Sequence, residues 1–180
     1  RTDIAAVDGW VTGPFHAVGF LTPTLVEVGF GSYRDPDASY IRTAAGLDIY
    51  GAARNWNKTA EQAYAWPGNG SVVPVRRHIT EWPSPRDECP SHNGLPVLAF
   101  FQKAVNVGKV SFTLNGKELA TCVFDGTNYS SGDKEAQKLG RAILSGANAV
   151  VVMPKAALIA GETYCFSVAS GKESVSSCFT

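Results

Sequence analysis

Five prolines between Trp66 and Leu95, at positions 67, 74, 83, 85 and 90, constrain this chain more than any other feature. A proline fixes φ and has no backbone N–H to donate, so this spacing forbids a helix and disfavours a central strand. The spacing predicts an extended linker over 63–94, pinned to the surface by Trp66, Trp82 and Cys89. His78 and His92 fall inside it, where a polar setting predicts solvated rings rather than ligands. The linker divides the 180 residues into an N-terminal unit, 1–62, and a C-terminal unit, 95–180.

The C-terminal unit has the pattern of an antiparallel β-sandwich. Pro96 to Phe101 is an apolar run, and Val110 to Leu114 alternates with the period of a strand. Asn115-Gly116 is the strongest short-range hairpin signal, which predicts that Leu119 to Phe124 returns beside Val110 to Leu114. Asp133 is placed to cap one short helix, with Ala136, Leu139, Ala142, Ile143 and Leu144 on its apolar face. Ala149 to Met153 is a buried run, and Tyr164 to Val168 with Val175 to Phe179 forms a closing hairpin around Gly171.

All four cysteines lie from Cys89 onward and none forms a C-x-x-C pair, so a metal knuckle is not expected. Disulfides and an oxidising, extracellular compartment follow as the expectation. Cys165 and Cys178 stand six residues before and seven after Gly171. An antiparallel hairpin places such positions opposite each other, so they are expected to pair, which leaves Cys89 with Cys122.

The N-terminal unit is organised by Ala6 to Gly31. Ala6, Val7, Trp10 and Val11 have helical spacing, and Pro14 breaks or restarts the helix. Phe15, Val18 and Leu21 continue the apolar stripe, and Leu21 to Thr24 turns the chain. Val26, Val28 and Phe30 alternate with Glu27 and Gly29 as a half-buried strand, and Ile41 to Tyr50 reads as a second strand. A unit of this size has too little core to bury Trp10, Phe15, Phe20, Val26, Val28, Phe30, Leu47 and Ile49 by itself.

The order Trp10, Pro14, His16, Leu21, Pro23, Val28, Gly29, Gly31 resembles the second half of a bacterial, SCP-like CAP domain (the cysteine-rich secretory, antigen 5 and pathogenesis-related family) over about residues 4 to 50. The resemblance implies an α-β-α sandwich and a pocket of two His and two Glu. His16 matches one of them; Gly13 stands where the family has a Glu, and the other two belong to an N-terminal half. This chain is accordingly expected to be the C-terminal part of a longer secreted protein. The missing half is then supplied in trans or replaced by a second copy of the chain. Leu158, Gly161 and Tyr164 form an L-x-x-G-x-x-Y step that resembles the tyrosine corner of fibronectin-type and bacterial immunoglobulin-like domains.

Together these readings predict an α+β chain: a partial CAP-like unit, a Pro-rich linker, and a disulfide-bonded immunoglobulin-like sandwich with one short helix. The candidate pocket is His16 with Glu27, which offers two ligands where metal hydrolysis needs three. There is no G-x-S-x-G elbow and no phosphate-cradling glycine motif, so no catalytic residue, metal or cofactor is expected. Net charge is zero, from 16 basic and 16 acidic residues, and no basic cluster exceeds Arg76-Arg77, which argues against nucleic acid. No apolar run reaches membrane-spanning length. A secreted binding or interaction protein is the expected function. The alternative is an extracellular hydrolase or metal-binding protein whose pocket around His16 is completed by the N-terminal half.

Overall fold

The two longest apolar runs of the C-terminal unit become the two central strands of one sheet. The computed structural model describes residues 2–22, 25, 27–49 and 61–180. Pro23, Thr24, Val26, Tyr50 and the polar tip at Asn55, Trp56 and Asn57 lie outside the described residues.

Strands β3 (Tyr64–Trp66), β4 (Val97–Phe100), β7 (Thr121–Asp125) and β8 (Ala149–Pro154) form an antiparallel sheet in the order β3-β4-β8-β7. A second antiparallel sheet holds β5 (Val107–Leu114), β6 (Lys117–Glu118), β9 (Tyr164–Ser170) and β10 (Glu173–Phe179) in the order β10-β9-β5-β6. Val97, Ala99, Val150 and Val152 from the first sheet share one core with Phe112, Phe166, Val168, Val175 and Phe179 from the second. The opposite face of the first sheet, with Leu98, Phe100, Val151 and Met153, is buried too. It is covered by helix α2 (Pro14–Leu21) through Phe15, Ala17 and Val18, and by helix α4 (Lys134–Gly146) through Leu144. A strand covered on both faces needs apolar residues at successive positions, and every residue of β4 and β8 is buried. The result is a β-rich α+β fold with mostly antiparallel sheets and a few short helices.

Local chemistry fixes the ends of these elements. Helix α1 (Asp3–Thr12) starts with the Thr2 hydroxyl accepting from Ala5 N–H at 3.1 Å. It stops at Gly13, and Pro14 opens α2 at its first position, where a missing N–H costs nothing. Asp133 caps α4 by accepting from the N–H groups of Glu135 and Ala136. The buried face of α4 is Ala136, Gly140 and Leu144, while Leu139 is 40% exposed. Gly140 lies there because a Cβ would come within 2.5 Å of the Tyr129 ring.

The stretch 63–94 differs from the predicted linker. Tyr64–Trp66 is the edge strand β3, paired with β4, and an edge tolerates the proline that follows it. The chain then crosses to the edge of β10: Gly70 N–H donates to the Cys178 carbonyl at 2.7 Å, Thr180 N–H to that of Ser71 at 3.0 Å, and Val73 N–H to that of Thr180 at 2.8 Å. A single helical turn, α3 (Pro85–Glu88), also forms where no helix was expected, because Pro85 occupies its first position and Ser84 caps it. Cys89 follows and is bonded to Cys122 of β7, with Cα atoms 5.9 Å apart. Cys165 and Cys178 are bonded across the β9–β10 register.

Two further expectations are corrected. Beyond the turn at Asn115 (φ 50°) and Gly116 (φ 81°), Lys117–Glu118 pairs with β5 and Leu119 N–H still donates to the Phe112 carbonyl at 2.8 Å, but the return ends there. Thr121–Asp125 crosses to the other sheet and pairs with β8. The predicted half-buried strand around Val28 is instead β1 (Gly29–Arg34), exposed along its whole length, and its partner is β2 (Thr43–Asp48). Strand β2 alternates half-buried and exposed positions while β1 is exposed throughout, so Val28 and Phe30 stay 47% and 45% exposed.

Candidate functional site

Helix α2 begins with a glycine N-cap that has no side chain to satisfy the first N–H groups. The acceptor comes from 65 residues further on. Glu81 accepts from His16 N–H at 3.1 Å and from Phe15 N–H at 3.2 Å. The same carboxylate holds His16 Nδ1 at 2.7 Å. Glu81 is only 1% exposed at its side chain, against 48% for His16. The carboxylate thus caps the helix, neutralises the positive end of its dipole and orients the imidazole at once.

That bond sets the chemistry of His16. A charge-assisted hydrogen bond to Glu81 holds the imidazole above its ordinary value, against the opposing effect of burial. With Nδ1 turned to the carboxylate, the proton of neutral His16 is assigned to Nδ1 and the lone pair to Nε2. Phe15, the residue before it, is 4% exposed and sits edge-on to Tyr129, with ring centroids 4.9 Å apart. Tyr129 donates to the Ser84 carbonyl at 2.9 Å, and burial pushes its phenol up to about 12. The Tyr64 hydroxyl donates to the Leu21 carbonyl and so ties the other end of α2 to β3.

The sequence-predicted pair is not brought together. Glu27 is exposed ahead of β1 and makes no hydrogen bond or ion pair with His16. Its place is taken by Glu81, a residue of the proline-rich stretch that sequence reasoning passed over. The available signal was indirect: a Gly-Pro helix start demands an external acceptor, without saying which one.

Trp82 is the second side chain that the proline-rich stretch contributes here. It is 55% exposed, and its indole N–H donates to Asp133 Oδ2 at 3.2 Å. That bond, with the two capping bonds, holds the Asp133 carboxyl below its usual range. No group of three or more His, Cys, Asp or Glu residues able to hold a metal ion occurs among the described residues. Among them, no helix is long and apolar enough to cross a membrane. Compared with family models, curated proteins and solved structures, the chain matches none.

Proposed function

We propose that this chain is a secreted binding or interaction protein in which a CAP-like N-terminal unit is carried on an immunoglobulin-like sandwich. The observation that carries the reading is the β1–β2 ribbon. Phe30, Tyr33, Tyr40 and Ile41 are 45%, 70%, 93% and 67% exposed on or beside a sheet that has two strands among the described residues. Clustered exposed apolar groups on a sheet are a surface suited to another chain. The partner in this reading is the N-terminal half of the same precursor, or a second copy of the chain. Two disulfides support an oxidising, extracellular setting.

The sandwich reading is supported by the bond that Ile159 N–H donates to Tyr164 Oη at 2.9 Å, at the corner entering β9. The strand orders, four and four with the β5–β6 ribbon on the second sheet, support it as well. The test is hydrogen exchange on 29–34 and 43–48, with light scattering. The outward-facing amides exchange fast in the isolated chain and slow on addition of the N-terminal half or on self-association. A monomer whose outer-edge β1 amides are already slow overturns the reading. The hydrolase or metal-binding alternative is favoured by one observation, the carboxylate-held His16, and a metal titration with and without the N-terminal half separates the two.

A further inference from the structure

The two disulfides of this molecule sit in opposite settings. Cys89–Cys122 belongs to the core under α2, where Cys89 is 1% exposed and Cys122 packs against the same cluster. Cys165–Cys178 lies on the outside of the second sheet. Along β9, Tyr164, Phe166, Val168 and Ser170 are buried and the positions between them are half-buried. Along β10, Val175, Ser177 and Phe179 are buried and Cys178 is half-buried. Both cysteines therefore project from the face turned away from the core. Around them in register on that face stand Thr113, Ser111, Ser167 and Ser176. Side chains so short rise no higher than the sulfurs and leave the S–S bond open to a reagent in solution. The longer Glu118 lies a strand further off, turned onto Ser111.

The backbone holds the two positions together without the bond. Cys165 and Cys178 are directly opposed in the β9–β10 register, with Cα atoms 4.0 Å apart. Cys178 N–H donates to Asn69 Oδ1 at 2.9 Å, and its carbonyl accepts from Gly70 N–H at 2.7 Å. Both backbone groups of Cys178 thus point away from β9, which makes this a non-hydrogen-bonded pair, the kind whose side chains stand closest. Opening the S–S bond breaks no ladder hydrogen bond. The flanking pairs, Tyr164 with Phe179 and Phe166 with Ser177, keep the hairpin in register.

From these observations we infer that Cys165–Cys178 is a reversible thiol–disulfide exchange site that takes a dithiol reductant, and that Cys89–Cys122 is not. A thiolate of the reductant attacks one sulfur of the pair, the S–S bond breaks, and the other cysteine leaves as thiolate. The reductant's second thiolate attacks the mixed disulfide and releases the first cysteine. The hairpin gains two electrons and two protons and becomes a dithiol, while the reductant becomes a disulfide. A disulfide oxidant reverses the step, because the register returns the two thiols to each other. The site does not involve the β1–β2 ribbon and stands or falls independently of the partner proposed there.

The test is timed alkylation of the full chain under native conditions. Dithiothreitol is one reductant, and a thioredoxin-type protein dithiol with its regenerating system is the other. Thiols are trapped with iodoacetamide at intervals and assigned by peptide mapping. Cys165 and Cys178 are expected to be trapped about tenfold or more faster than Cys89 and Cys122. The chain reduced at that one bond keeps a cooperative melt, and oxidised glutathione restores Cys165–Cys178. Reduction by both reagents places protein oxidoreductases among the partners, and reduction by dithiothreitol alone confines them to small dithiols. Equal rates at the two bonds overturn the assignment, as does earlier opening of Cys89–Cys122. So does loss of the cooperative melt when Cys165–Cys178 alone is reduced, or failure of that bond to reclose.

Discussion

The Glu81 carboxylate fills the space that a side chain at Gly13 would need: a Cβ built there lies 2.5 Å from Oε2 and 2.8 Å from Cδ. Gly13 has an ordinary extended backbone, φ −95°, so its lack of a side chain answers to this close approach and not to a left-handed turn. Gly13→Ala is therefore expected to push the carboxylate off the helix end. Buried between three N–H donors, Glu81 cannot simply swing aside, and the loss is about 1–3 kcal/mol from the stranded Phe15 and His16 amides. Denaturant unfolding checks this, and the double variant with Glu81→Ala should cost less than the two single changes summed.

The His16–Glu81 bond also makes a pH-dependent contribution with a definite sign. Because Glu81 raises the imidazole in the folded state, protonation favours folding. The contribution is complete below the unfolded value of 6.5 and is lost as pH rises through the folded value. Glu81→Gln removes the charge while keeping an acceptor. The His16 NMR titration midpoint should then fall, and the slope of stability above neutrality should flatten. An unchanged midpoint would show that the bond is absent in solution.

How much of this was legible beforehand follows the range of each interaction. The Asp133 cap, the Asn115-Gly116 turn and the helix restart at Pro14 depend on neighbours within a few residues, and sequence shows them directly. The buried runs at 97–100 and 149–154 announce burial, because no polar residue interrupts them. The docking of α2 on that sheet was not legible: the stripe at Phe15 and Val18 demands an interior but cannot name which. The Glu81–His16 bond joins residues 65 apart, and any of several acids could have answered the helix start. The crossing of 67–73 to the edge of β10 rests on backbone hydrogen bonds and on two side-chain bonds, Ser177 to the Pro67 carbonyl and Cys178 N–H to Asn69, that join residues about 110 apart and leave no local trace in the sequence.

The two disulfides are expected to differ in weight. Cys89–Cys122 closes a separation of 33 residues and ties the segment after α3 to β7, while Cys165–Cys178 closes 13 within a hairpin that backbone hydrogen bonds already zip. Loop entropy assigns about 3 to 4 kcal/mol to each, larger for the longer loop. The contrast in the folded state is greater still, since Cys89 is 1% exposed and belongs to the core under α2. Cys89→Ser with Cys122→Ser should therefore lower the melting temperature more than Cys165→Ser with Cys178→Ser. Peptide mapping without reduction identifies the bonds first, and a Cys89–Cys165 peptide would end the argument.

A piece that starts at Gly94 holds most of both sheets, the Asn115-Gly116 turn, α4 and the Tyr164 corner, and by those local features it would be expected to fold alone. The packing argues otherwise. Leu98, Phe100, Val151 and Met153 are fully buried on the face that α2 covers, and Phe100 stacks on Tyr64 of β3 with centroids 4.6 Å apart. Cutting at Gly94 removes Phe15, Ala17 and Val18 from that face and uncovers the edge of β4. It strips the Ser71 and Val73 backbone pairing from Thr180, and leaves Cys122 without its partner. Exposing several such side chains costs about 1.5–3 kcal/mol each, which together exceed the stability of an ordinary domain of this size. Residues 94–180, produced under oxidising conditions, should therefore aggregate or melt without cooperativity. Residues 61–180 regain the β3 edge and the Cys89–Cys122 bond and should melt cooperatively, below the full chain. Calorimetry on the two pieces decides it: a cooperative transition for 94–180 near that of the full chain would mean that α2 and the proline-rich stretch are ornaments on a self-sufficient sandwich.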